Sequence, residues 1–348
     1  MVIDQLVNFA RSKNASDIHL TVGAPTAIRI NGELKKFDMK DEDTNKMILS
    51  MLTADQERKL GENIDLDFSF TCSTGGRQRV NVYHQNGGKL AAAIRLLNEH
   101  VPSFKDIMLP NAAIEMTKEM KGLILVTGPT GSGKSTTLAT MVDHINNCRA
   151  CHILTIEDPV EYMYEPKLAT IHQREIGTDV SDFNSALRSG LRENPDVILV
   201  GEMRDYETIR LAITAAETGH LVFGTLHTTG AAQTINRIID VFPSEEQNQI
   251  RSQLSGNLRG VISQLLMPCV SQERGRVAAF EILINTDACA NNIRTEKVHM
   301  IEQVMQSSSS LGMRTMNESL KRLARDNVIT RDVAMQYSPD KDELKKML

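Results

Sequence analysis

Residues 128–136 read Gly-Pro-Thr-Gly-Ser-Gly-Lys-Ser-Thr, between the apolar run Leu-Ile-Leu-Val-Thr at 123–127 and a helical stretch from Lys134 to about Asn147. This is the pattern G-x-x-x-x-G-K-[ST] in its strand-loop-helix context. Glycines let the backbone fold around an anion, with successive N–H groups and the positive end of the following helix aimed at it. The residues of this nucleotide-binding loop are Gly128, Pro129, Thr130, Gly131, Ser132, Gly133, Lys134, Ser135 and Thr136. The Lys134 ammonium is expected to reach the β and γ phosphates of ATP, and the Ser135 hydroxyl to bind Mg2+.

A chain of 348 residues is too long for one small domain. Residues 2–13 have helical apolar spacing, DIHLTV and TAIRI have strand character, and RQRVNVYHQ and KLAAAIRLL form a hairpin around Asn86-Gly87-Gly88. Residues 1–99 thus read as a small α+β domain. The Pro-punctuated stretch 100–121 reads as a linker. Residues 122–284 alternate apolar strands (HILTI, DVILVGE, LVFGTLH) with helices, the pattern of a mainly parallel sheet covered on both faces, an α/β core. Residues 285–348 read as a C-terminal helical region.

The N-terminus lacks the plan of a secretory signal, and no stretch approaches the roughly 18 to 20 apolar residues that cross a bilayer. A cytoplasmic protein is expected, reaching a membrane only through partners. A net charge of −5, 4% aromatic residues and no Trp give little sign of a nucleic-acid surface. Cys148 and Cys151 form a lone CxxC, which lacks the two further ligands of a zinc site and is read as structural.

Open α/β sheets collect ligands at the C-terminal ends of their strands. DVILVGE places Glu202 there, as a group that polarises water or holds Mg2+ through water. TIEDPVEY places Glu157, Asp158 and Glu161 at another strand end. Glu157 is the candidate, with Asp158 and Glu161 read as caps or surface charges. His220 and His227 bracket LVFGTLH and are read as γ-phosphate sensors at the ligand edge. Arg77, Arg79 and Arg95 flank the hairpin and could supply positive charge to a neighbouring subunit's site.

With these residues in hand, the chain resembles the secretion-superfamily ATPases, and within them the type IV pilus retraction ATPases, over nearly its full length. The matching segments are ASDIHL, the phosphate loop (the Walker A motif), ILTIEDPVEY (the Asp box), NSALRSGLRENPDVILVGEMRD, ETIRLAITAAETGHLVFGTLHTT (with the His box histidines) and VFPSEEQ. The resemblance implies a PAS-like N-terminal domain, a RecA-like P-loop core and a homohexameric ring with ATP between the two domains. Arg79 and Arg95 match the family's N-terminal arginine positions best. It implies ATP hydrolysis coupled to pilus retraction and twitching motility. The implied partners are an inner-membrane platform protein (PilC-like) and PilU-like or PilB-like paralogues. Two departures stand out. The family's C-terminal AIRNLIRE is here ACANNIRT at 288–295, sharing only Ala288, Asn291, Ile293 and Arg294, and Gly87 replaces a frequent arginine. The alternatives are an accessory paralogue within the pilus machine or a pilus-assembly or type II secretion ATPase.

Overall fold

The computed structural model describes every residue except 1, 31, 39, 74, 75, 99 and 272–274. Both ends expected for the first domain, residues 1 and 99, therefore lie outside the described residues. The chain forms two compact units, Met1–His100 with Pro159–Met163, and Val101–Asp158 with Tyr164–Leu348.

The first unit holds strands β1 (Ala15–Thr21), β2 (Thr26–Ile30), β3 (Glu33–Phe37), β4 (Leu66–Thr71), β5 (Arg77–Gln85) and β6 (Lys89–Leu96), with helices Ile3–Ser12, Asp41–Leu49 and Ala54–Gly61. Its sheet is antiparallel in the order β3-β2-β1-β6-β5-β4. One face carries Ile18, Leu20, Val80, Val82 and Ile94, which bury against Leu6, Val7 and Ala10 of the first helix and Met47 and Ile48 of the second. Because side chains alternate along a strand, Arg79 and Arg95, each one residue from a buried neighbour, stand on the opposite face. The β5–β6 hairpin closes around residues 86–88 as the sequence indicates.

Residues 159–163, which the sequence assigns to the core, belong to this first unit. Arg77 Nε donates to the Val160 carbonyl at 2.9 Å, Asn98 donates to the Tyr162 hydroxyl at 3.2 Å, and Tyr162 is buried. The TIEDPVEY segment therefore divides after Asp158.

The second unit contains β7 (Gly122–Thr127), β8 (His152–Glu157), β9 (Thr170–Glu175), β10 (Val197–Val200), β11 (Leu221–Leu226), β12 (Leu258–Pro268) and β13 (Arg276–Ile284), ordered β13-β12-β7-β11-β10-β8-β9. Every neighbouring pair is parallel except β12 with β13. The apolar strands feed two cores. Leu123, Leu125 and Val222 pack with helices Tyr206–Glu217, Ala231–Asp240 and Ser244–Asn257. Ile124, Val126 and Phe223 pack with Leu138, Met141, Val142 and Ile145 of helix Lys134–Cys148. Each fully buried side chain of this kind stabilises the fold by about 1.5–3 kcal/mol.

The stretch read as a linker is largely part of this unit. It carries helix Asn111–Met116, and Leu109, Ala113 and Met116 are buried in the second core. Helices Asp287–Arg294, Ile301–Ser307, Met316–Arg325, Arg331–Tyr337 and Lys341–Met347 complete the C-terminal region. The last three of these contribute, with Met267, Val277 and Ala279, to a smaller core around Leu320 and Leu344. Among the described residues, no helix is long and apolar enough to cross a membrane.

Candidate functional site

Four parallel strands, neighbours in the order β7-β11-β10-β8, deliver the candidate residues at their C-terminal ends. β7 runs into the phosphate loop, β11 ends before His227, β10 before Gly201-Glu202, and β8 at Glu157. At about 4.8 Å per strand, Glu202 begins about 10 Å across the sheet from the loop, and Glu157 about 14 Å.

The loop leaves no room for side chains at its first glycine. Gly128 has φ +144°, and a Cβ there would lie 2.3 Å from the Gln264 carbonyl oxygen and 2.7 Å from Ser132 Oγ. Gln264 of β12 also donates its side-chain amide to the Ser132 carbonyl at 2.6 Å, holding the loop from beneath. The helix ladder opens with Thr137 N–H on the Gly133 carbonyl. The N–H groups before it are the orphans every helix start presents, backed by the positive end of the dipole. Lys134 Nζ donates to the Gly128 and Pro129 carbonyls at 2.9 and 3.2 Å. The buried Ser132 hydroxyl has no partner among the described residues, an orphaned polar atom inside the cradle. A cradle closed to side chains, a lysine at its rim and a half-buried Ser135 at the helix start fit a phosphate chain with its Mg2+.

Glu202 is fixed by its neighbours. Met203 N–H donates to the Thr225 carbonyl at 3.0 Å and Thr225 Oγ1 to the Gly201 carbonyl at 2.5 Å, tying the end of β10 to β11. Glu202 Oε1 accepts from His227 Nε2 at 2.9 Å and from Arg204 Nε at 2.5 Å. Burial pushes its carboxyl up, but the hydrogen bond and charge of Arg204, with His227 behind them, hold it below the ordinary glutamate value. It is thus an ionised carboxylate at neutral pH. His227 Nε2 donates to that carboxylate, and the other ring nitrogen, Nδ1, lies 3.5 Å from the Thr130 hydroxyl of the loop. Thr130, His227 and Glu202 form a continuous polar chain from the phosphate loop to a carboxylate.

His220 is not part of it. It precedes β11, whereas His227 follows that strand, so about 20 Å of extended backbone separates them. Its Nδ1 lies 2.9 Å from the Ala215 carbonyl, to which it donates, closing the last turn of helix Tyr206–Glu217. The expectation that both histidines share the ligand edge is corrected: one edge of the strand holds His227 and the other a helix cap. Glu157 stands at the correct end, with Ile176 N–H on its carbonyl, and Asp158 beside it is exposed.

In the first unit, Arg79 makes a bidentate pair with Asp67 (3.1 and 2.6 Å), and Arg95 lies 3.3 Å from Asp17. Arg79 and Arg95 are direct register partners on β5 and β6. Arg77 is tied instead to Val160 and Ser69.

Sequence reasoning missed Arg204 and Gln264. The first sits two residues beyond Glu202 in a loop without period, the second in a strand that the pattern did not reveal. Among the described residues, no group of three or more His, Cys, Asp or Glu is placed to hold a metal ion.

Residues 1–338 match the family described as Type II/IV secretion system protein. The chain is 46% identical, over 97% of its length and 98% of the relative's, to the type IV pilus retraction ATPase PilT of Pseudomonas aeruginosa. It is 45% identical to a twitching motility protein of Neisseria gonorrhoeae, covering 91% of this chain and 85% of that one. A crystal structure of the pilus retraction motor PilT with bound ADP superposes with a TM-score of 0.93 at 47% identity, covering 99% of both chains. On the family match and these identities, the chain belongs to the Type II/IV secretion system protein family.

Proposed function

We propose that this protein is a Mg2+-dependent ATPase, the subunit of a homohexameric motor that couples hydrolysis to type IV pilus retraction and twitching motility. The observation that carries the reading is the Thr130–His227–Glu202 chain, which links the phosphate cradle to an ionised carboxylate. Lys134 and the loop N–H groups bind the phosphates. Ser135 and Glu202 would hold Mg2+, which would neutralise charge on the transferring phosphoryl group. Glu202 orients and polarises the attacking water, and Glu157 adds negative charge at the next ligand position. His227, touching both loop and carboxylate, reports on the γ phosphate. Arg79 and Arg95 act on a neighbouring subunit's nucleotide. The ring works at the cytoplasmic face of the inner membrane, through a platform protein and alongside PilU-like or PilB-like paralogues.

The divergent 288–295 stretch favours a second reading, an accessory paralogue, less than its sequence suggests. It lies on helix Asp287–Arg294, where the retained Ala288, Asn291 and Arg294 are exposed at a spacing of three, one stripe of the helix. Of the changed positions, Cys289 is buried, Ala290 and Asn292 are half-buried, and Thr295 is exposed. The exposed stripe of this helix is therefore kept.

The test is deletion of the gene with scoring of surface pili and twitching. Hyperpiliated, non-motile cells are expected. Bald cells would assign the motor to assembly, and unchanged cells would assign it an accessory role.

A further inference from the structure

Within the second unit, a cleft of about 940 Å3 opens where the sheet's second core meets the small C-terminal core. That volume lies in the range of small-molecule sites, about 300–1,000 Å3, and it is concave, unlike the flat face that another folded chain would cover. Its apolar lining includes Phe104, Leu109 and Phe280 of the second core and Leu323 of the C-terminal core. The wall approaches tightly at one corner, where a Cβ on Gly312 (φ +94°) would meet Ala112 Cβ at 2.9 Å.

The cleft also holds three cations, Lys105, Arg314 and Arg322, against one acid, Asp326, which stands 3.8 Å from Arg322. Arg314 is the telling residue. Its backbone is pinned to Ile282 by two hydrogen bonds, 3.0 and 2.8 Å, so the side chain departs from a fixed point. The guanidinium is half-buried, and no hydrogen bond or ion pair of it falls among the described residues. Burial, with Arg322 nearby, pulls its pKa down against the opposing charge of Glu318. A half-buried guanidinium with no partner among the described residues, lining an apolar cleft, can offer its planar fork to a carboxylate or phosphate.

We propose that this cleft is a binding site for an amphiphilic anion, an acyl chain carrying a carboxylate or phosphate head. The chain lies between Phe104, Leu109, Phe280 and Leu323, and the head is clamped by Arg314 with Lys105 at its side. Occupancy bridges the 103–112 segment to helix Met316–Arg325.

The experiment is calorimetric titration of the full-length protein with dodecyl phosphate and with laurate, below their micellar concentrations and with excess ADP to occupy the phosphate loop. One molecule of either per chain is expected. Dodecanol and inorganic phosphate should each bind at least tenfold more weakly, because each lacks one half of the match. Arg314→Gln should weaken dodecyl phosphate at least tenfold. Lys105→Gln, an exposed change that does not threaten folding, should weaken it a few-fold. Equal binding by wild type and both variants would overturn the proposal, as would dodecanol binding as tightly as dodecyl phosphate. So would binding confined to dissociated chains, which would make a second copy the occupant, or no binding at all.

Discussion

Replacing Glu202 by Gln keeps the shape of the side chain and removes its charge, which separates its two possible contributions. Glu202 accepts at 2.9 Å from His227 and at 2.5 Å from Arg204. Bonds to a charged acceptor contribute about 1.5–3 kcal/mol each when enclosed. The Arg204 side chain is 76% exposed, which reduces that pair to about 1 kcal/mol or less. The amide retains one acceptor, so the variant should lose about 1–2 kcal/mol of stability. If Glu202 also polarises the attacking water, kcat should fall about 10²–10⁴-fold, or roughly 3–5 kcal/mol in the barrier. The kinetic loss should therefore exceed the structural one. Steady-state phosphate release, ADP titration and denaturant melts on the same preparations measure all three. Nucleotide affinity should stay within about threefold of wild type, well under the 1.4 kcal/mol that a tenfold change represents. The sign with pH is fixed as well. Glu202's carboxyl is held below its ordinary 4.5, so its stabilisation is present above that value and lost as pH falls through the folded one. The gap in stability between wild type and variant should close in acid. A kcat within tenfold of wild type, or a loss of ADP affinity as large as the loss of kcat, would refute the assignment.

Gly128→Ala should cost the loop about 1–3 kcal/mol of backbone strain and force its new Cβ against the Gln264 carbonyl, 2.3 Å away; a fluorescent-ADP titration should show at least tenfold weaker binding, and unchanged affinity would refute the cradle geometry. Glu281 accepts from the Ala231 and Met316 N–H groups at 2.7 and 3.2 Å, the starts of two helices, yet burial raises its carboxyl above 4.5 against those bonds. Wild-type stability should consequently fall as pH rises from 4.5 through the raised value, and Glu281→Gln should flatten that arm in denaturant melts taken across the range.

The sequence exposed the features whose pattern is local. The phosphate loop carries its own signature, and β7, β8, β10 and β11 are short apolar runs bounded by turns or helices. Glu202 was legible because an acid ends such a run. β12 was not, since helix Ser244–Asn257 passes directly into it at Leu258 with no intervening loop, and Arg259, Ser263 and Gln264 interrupt its apolar character. With β12 went Gln264 and the floor of the phosphate loop. The 100–121 stretch read as a linker because six residues of helix are too few to show a period, although Leu109 and Met116 are buried. His220 was misplaced by proximity in sequence: a strand puts the residues at its two ends on opposite edges of the sheet.

The outer face of the first unit's sheet carries a row of charge, Arg29, Asp17, Arg95, Arg79 and Asp67, across five strands, with the two adjacent arginines flanked on each side by an aspartate. Each pair faces water, and an exposed pair of this kind contributes only about 0–1 kcal/mol. Arg79 and Arg95 are thus held in line without being held tightly. A guanidinium so parked can exchange its carboxylate for another anion with little loss.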